Sequence, residues 1–160
     1  MKKQIYLVLG GMFGLLVALS GCSQKVVVPD KVTTAFKTQF TGAAKVKWSK
    51  ESDKEFEAEF HLAGIEMSAN FTEDGQWVET ETEIPKKDLP AAVTDTLNAK
   101  YPGFRIEEAA WTETAGGGSF YELNIEKKRE ELILHIDRQG QVLKSVTEEN
   151  EEGGRDEDND

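Results

Sequence analysis

Cysteine is almost absent from this chain of 160 residues: Cys22 is the only one. No disulfide can form within the chain, so the fold has to rest on its core. Histidine is nearly as scarce, with only His61 and His135, and a histidine-based site would have to use one of them. Neither a GxSxG elbow, an HExxH or CxxC motif, nor a glycine-rich phosphate loop occurs. Histidine, aspartate and glutamate are present but never cluster at metal-ligand spacing. The expectation is a protein without catalytic residues, metal or cofactor. Basic residues are few as well: 19 Lys and Arg stand against 30 Asp and Glu, a formal charge of -11. Such a surface repels nucleic acid and anionic headgroups, and otherwise its simplest meaning is solubility.

Only one long apolar run is present, Ile5 to Leu19, preceded by Lys2 and Lys3 and closed by Leu19-Ser20-Gly21-Cys22. Its length and flanks predict a signal peptide over residues 1–21. The closing four residues resemble the bacterial lipobox, which implies that Cys22 is lipidated and becomes the N-terminus, its acyl chains holding the protein on a membrane. Residues 22–28 are then the anchor and a tether reaching no more than roughly 20 Å. Val26-Val27-Val28 also has the composition of a short edge strand. Ser23 after the cysteine, in place of aspartate, points by analogy to the outer membrane, with periplasmic or surface orientation open.

Two stretches organise the rest. Phe56, Ala58, Phe60 and Leu62 alternate with Glu57, Glu59 and His61, and the pattern resumes after Ala63-Gly64 with Ile65, Met67, Ala69 and Phe71. Glu73-Asp74-Gly75 turns the chain into a third run beginning at Trp77. Ahead of them, Val32, Ala35, Phe36 and Phe40 follow helical spacing behind Pro29-Asp30, and Val46 and Trp48 open a first strand. The unit is a helix and four antiparallel strands. After the break at Pro85, Pro90, Val93, Leu97 and Tyr101 repeat Pro29, Val32, Phe36 and Phe40 at an offset of 61. Tyr121, Leu123 and Ile125 then answer Phe56, Ala58 and Phe60 at 65, and Gly140 and Val142 answer Gly75 and Trp77. The expected fold is α+β: two tandem helix-plus-four-strand repeats, about residues 29–84 and 89–147, forming an antiparallel sheet with the helices on one face. Residues 148–160 carry eight acidic residues, Arg155 and nothing apolar, which predicts a disordered tail without the looped spacing of a calcium site.

The polar side of the strands would present Glu57, Glu59 and Glu66 from the first repeat and Glu122 and Glu126 from the second. Alternation alone leaves these carboxylates in water, where nothing drives their pKa values apart for acid-base work, so the pattern fits a binding face. His61 and His135 fall on the same polar side and are read as surface residues. Strict alternation also puts Trp77 on the side of Glu79, Glu81 and Glu83, away from Val78, Thr80 and Thr82. Trp77 is therefore either a binding hot spot or a core tryptophan covering the helix.

The segments VPDKVTTAFKTQF, AKVKWSKESDKEFEAEF, FTEDGQWVETETEIP and LPAAV together resemble the PepSY-like domains of bacterial lipoproteins, also described as beta-lactamase-inhibitor-like. The resemblance covers Pro29 to about Thr147. It implies the two-repeat sheet fold, but no inhibitory contact residue carries across, and the disulfide cysteines of the inhibitor have no counterpart here. The expected function is that of a non-enzymatic, lipid-anchored module of the cell envelope, binding a protein or peptide through the sheet face. A small-molecule or ion binder with a pocket between the repeats is the alternative.

Overall fold

The computed structural model describes residues 26–147, so the leader, Cys22 and the acidic tail lie outside the described residues. The described residues form an α+β fold, with two α-helices and eight strands that follow one another in the sheet in chain order. The elements are α1 (Asp30–Gln39), β1 (Ala44–Ser52), β2 (Glu55–Leu62), β3 (Ile65–Thr72) and β4 (Trp77–Glu83), then a single 3-10 turn (Lys86–Asp88). They continue with α2 (Ala91–Lys100), β5 (Arg105–Thr114), β6 (Ser119–Lys127), β7 (Glu130–Ile136) and β8 (Val142–Thr147). The described residues divide into two compact units, 26–83 with 112–119 and 84–111 with 120–147.

In the first unit, Pro29 enters α1 with φ -58°, and Asp30 sits in the first turn while Lys37 sits in the last, each sign suited to its end of the helix dipole. Val32 and Phe36, one turn apart, face the sheet and are buried, and Phe40 extends the same stripe. They meet Phe56, Ala58, Phe60, Ala69 and Phe71, the alternate residues of β2 and β3. Phe36 packs edge-on to Phe60 with centroids 5.0 Å apart and to Trp48 at 5.3 Å, which adds quadrupole geometry to the apolar burial. Val26 and Val28 lie against this core without pairing as a strand, and Val27 points out at 87% exposure.

Register follows from the turns. Ala63 (φ 53°) and Gly64 (φ 86°) both adopt the left-handed conformation that a two-residue hairpin needs, and Leu62 pairs with Ile65 across them. Phe56 then faces Phe71, and Ala58 faces Ala69. Between β3 and β4 the ladder slips: Asn70 pairs with Glu79 but Phe71 pairs with Trp77, so Val78 is an extra residue in a β-bulge. On the far side of β4, the Ala115 N–H donates to Val78 O at 2.7 Å.

The second unit has a core of its own. Val93 and Leu97 of α2 pack on Leu123, Ile125, Leu132, Leu134 and Ile136 of β6 and β7. Leu134 faces Leu123 and Ile136 faces Tyr121, and a bulge at Leu143 lets Val142 pair with Ile136. The Ile84 N–H donates to Ala109 O at 2.8 Å, tying the start of this unit to β5.

Candidate functional site

The polar residues of β2 to β4 project from the face of the first unit that α1 does not cover, because side chains alternate and the core residues take the other face. Cross-strand pairing sorts them into rows. Ser49, Glu57, Asn70 and Glu79 form one, and Lys47, Glu59, Ser68 and Glu81 form the next. His61 and Glu66 face each other beyond them.

This face is not the wet one that alternation implies. Glu57 is 6% exposed, Glu79 and Glu81 are 4%, and Ser68 and Asn70 are 2% and 3%. Alternation fixes which side a residue takes; it does not fix what covers that side. The Ser49 hydroxyl donates to Glu57 Oε2 at 3.1 Å, the Asn70 amide makes a long bond of 3.5 Å to Glu79 Oε1, and Ser68 makes one of 3.5 Å to Glu81 Oε2. Burial pushes the Glu57 carboxyl above its usual range, the neighbouring charge of Glu59 adds to the rise, and the hydroxyls of Ser49 and Ser68 oppose it. Glu59 is more open, its side chain 39% exposed and 3.7 Å from the Lys47 amine, and Glu66 is half-buried. Asn70 Oδ1 and the fully buried Thr112 hydroxyl have no hydrogen-bond partner.

Trp77 does not join this face. The bulge at Val78 turns it toward Phe71, where it packs against the aromatic core and donates its indole N–H to Thr80 Oγ1 at 2.9 Å. It is partly buried against the core, the position of a tryptophan covering the helix. In the second unit, Glu122 and Glu126 do share one side of β6, but Glu122 is 7% exposed and Glu126 is engaged by Arg105 at 3.0 Å. His135, expected at the surface, is 5% exposed and stacks on Phe120 with centroids 4.2 Å apart. Its Nε2 stands 2.9 Å from Glu122 Oε2 but off the N–H line, so the two make a close polar approach without an aligned hydrogen bond. His61 is half-buried.

Alternation puts Ser68, Asn70, Glu79 and Glu81 on the polar side of their strands, though no motif singles them out. Short polar residues facing glutamates across a ladder are the signal that could have found them. Among the described residues no group of three or more His, Cys, Asp or Glu side chains is arranged to hold a metal ion, and no helix is long and apolar enough to cross a membrane. A cleft of about 580 Å³ lies within the second unit, lined by Thr94, Leu97, Tyr101, Phe104, Ile106 and Ile125 among others.

Comparison with known proteins places this arrangement in a family. Residues 54–144 match the PepSY-like family, described as beta-lactamase-inhibitor-like, and the chain belongs to it. That description is inhibitor-like and names no catalytic activity. The fold is shared with a periplasmic protein of Bacteroides eggerthii, at 22% identity and a TM-score of 0.68 over 76% of this chain and 90% of that one. It is also shared with a BLIP-like protein of Bacteroides fragilis, at 20% identity and a TM-score of 0.66 over 78% and 90% of the two chains. No functionally curated protein matches the chain.

Proposed function

We propose that the protein is a non-enzymatic binding module of the cell envelope, held to the membrane by a lipid on Cys22, which takes a protein or peptide partner through the helix-free sheet face. The observation that carries this reading is the double row of carboxylates on β2 to β4, Glu57 and Glu79 beside Glu59 and Glu81. An interior seeking only stability would put apolar side chains there. Glu66 lies on the same face, and Glu122 and Glu126 extend the reading to the second unit. The inhibitor-like family and the description of the B. eggerthii protein as periplasmic agree with this address and role. The reading includes two copies of one helix-plus-four-strand unit, supported by the matching bulges at Val78 and Leu143. It also places the lipid in the outer membrane.

Site-specific photocrosslinking from the native envelope tests it. A crosslinker at Glu59 should trap one partner, a crosslinker at Thr34 on the exposed side of α1 should trap none, and Cys22→Ala should release the protein from the membrane and reduce the yield. Equal labelling from both faces, or none from Glu59, refutes the reading. The cleft beside α2 favours a second one, a small ligand enclosed by Leu97, Tyr101 and Phe104. A metabolite that raises the melting temperature of the unaltered protein but not of Leu97→Trp would support it.

A further inference from the structure

We propose that the helix-free face of the first unit is a receptor for a single arginine side chain presented by the partner. This rests on the binding-module reading and names the chemistry that the site selects. The row Ser49, Glu57, Asn70, Glu79 sets two carboxylates around one side-chain amide. The Ser49 hydroxyl is committed to Glu57, and the Asn70 amide nitrogen to Glu79. That second bond also fixes the amide: turning it over would set Asn70 Oδ1 against a carboxylate oxygen. The carbonyl oxygen of a side chain only 3% exposed is thereby left with no donor, a buried deficit that a folded protein seldom keeps without a use. Asn70 is the direct cross-strand neighbour of Glu57, so this open acceptor and the Glu57 carboxyl stand side by side. Thr112, three residues along each strand from the Val78–Ala115 bond, lies level with Glu81 and adds a second unpartnered oxygen.

What fits is a donor-only group that can serve two adjacent oxygens and carry positive charge. A guanidinium does both, with N–H donors in a fixed fork matched to paired acceptors. A metal ion is a poorer match, because the described residues do not converge as a ligand set. At the outer end of the face, Lys47 and Glu59 form a loose pair, 3.7 Å apart with 74% and 39% of their side chains exposed. An entering guanidinium competes with Lys47 for Glu59, so Lys47 acts as a weak occupant of the approach.

The test uses the full chain in detergent micelles, with amide and side-chain NMR reporting on Glu57 and Asn70. The probes are a five-residue peptide with arginine at its centre, the same peptide with neutral citrulline, and calcium chloride alone. The arginine peptide should bind at least about tenfold tighter than the citrulline peptide, the scale of one charge-assisted hydrogen bond. Glu57→Gln, which keeps the shape, should remove that preference, and Lys47→Ala should tighten arginine binding a few-fold. Equal binding of the two peptides, or of neither, overturns the proposal on the unaltered protein, where misfolding of a variant plays no part. Saturable calcium binding at Glu57 and Asn70 overturns it in favour of a metal. A partner trapped at Glu59 together with no arginine preference would sink this inference alone, whereas an empty crosslink would sink the binding-module reading.

Discussion

Replacing Gly75 by alanine tests whether the β3–β4 turn is pressed against α1. Two turn glycines of the first unit share a left-handed backbone, Gly64 at φ 86° and Gly75 at φ 80°, but differ in their surroundings. A Cβ on Gly64 meets nothing within 4 Å, so Gly64→Ala carries only the conformational cost, roughly 1–2 kcal/mol. A Cβ on Gly75 would stand 2.8 Å from Lys31 O and 3.0 Å from the Lys31 carbonyl carbon. Those are backbone atoms in the first turn of α1 and cannot swing aside as a side chain does. Turn or helix must shift, adding about 1–3 kcal/mol for overpacking. Gly75→Ala should therefore destabilise more than Gly64→Ala by about 1–3 kcal/mol, the overpacking share alone. Urea denaturation followed by tryptophan fluorescence measures this, since Trp48 and Trp77 both pack on this core. Adding Lys31→Ala should not rescue the variant, because the clash is with the main chain and the exposed Lys31–Asp74 pair contributes little. Equal losses at the two glycines would refute the close packing of this turn on α1.

Glu57→Gln should stabilise the protein at neutral pH while weakening partner binding. The folded carboxyl titrates above its usual range, so the folded state binds a proton more tightly than the unfolded chain. Stability then falls as pH rises from the ordinary glutamate range through the raised value, and glutamine abolishes that slope. Urea midpoints at pH 5 and pH 8 read the difference, and a wild-type curve flat in pH would contradict the assigned burial. Glu122→Ala should cost about 1–3 kcal/mol by leaving the buried His135 Nε2 without the carboxylate oxygen beside it. The double change to alanine at both positions should cost less than the two singles added, which a double-mutant cycle resolves. Trp77→Ala should cost about 3 kcal/mol as a core truncation, yet the folded fraction should still capture its partner. Loss of binding with unchanged stability would return Trp77 to the surface.

The helix and strand order was legible because both periodicities are clean. Val32, Phe36 and Phe40 mark one helical stripe, and Phe56, Ala58 and Phe60 mark one strand face, with hydrophobic character deciding each position. Trp77 was not, because a bulge adds one residue and reverses side for everything before it, and nothing at Val78 announces it in the way a glycine or proline would. Period-two counting from Glu79 back to Trp77 is locally correct and structurally wrong. His135 failed for a different reason. Its side of the strand was read correctly, but cover comes from elsewhere, here from Phe120 stacked on the ring and Glu122 beside it.

That distinction between side and cover bears on how the carboxylates should be understood. On an open face, Glu57 and Glu59 would be two solvated charges whose replacement changes little. Behind cover, a buried carboxylate opposes folding unless donors meet it, and Glu57, met by the Ser49 hydroxyl, still titrates above its usual range. The helix core, by contrast, is closed by apolar contacts and asks nothing of a partner. A donor-rich guest arriving on the other face would complete hydrogen bonds that the chain leaves incomplete, and would relieve the strain that holds Glu57 toward its protonated form. Binding should therefore release a proton: at a pH where Glu57 is partly protonated, uptake of the arginine peptide should expel protons, in an amount that shrinks as the pH is raised. Calorimetry in buffers of different ionisation enthalpy detects that release, and a buffer-independent heat would show that the guest does not meet Glu57.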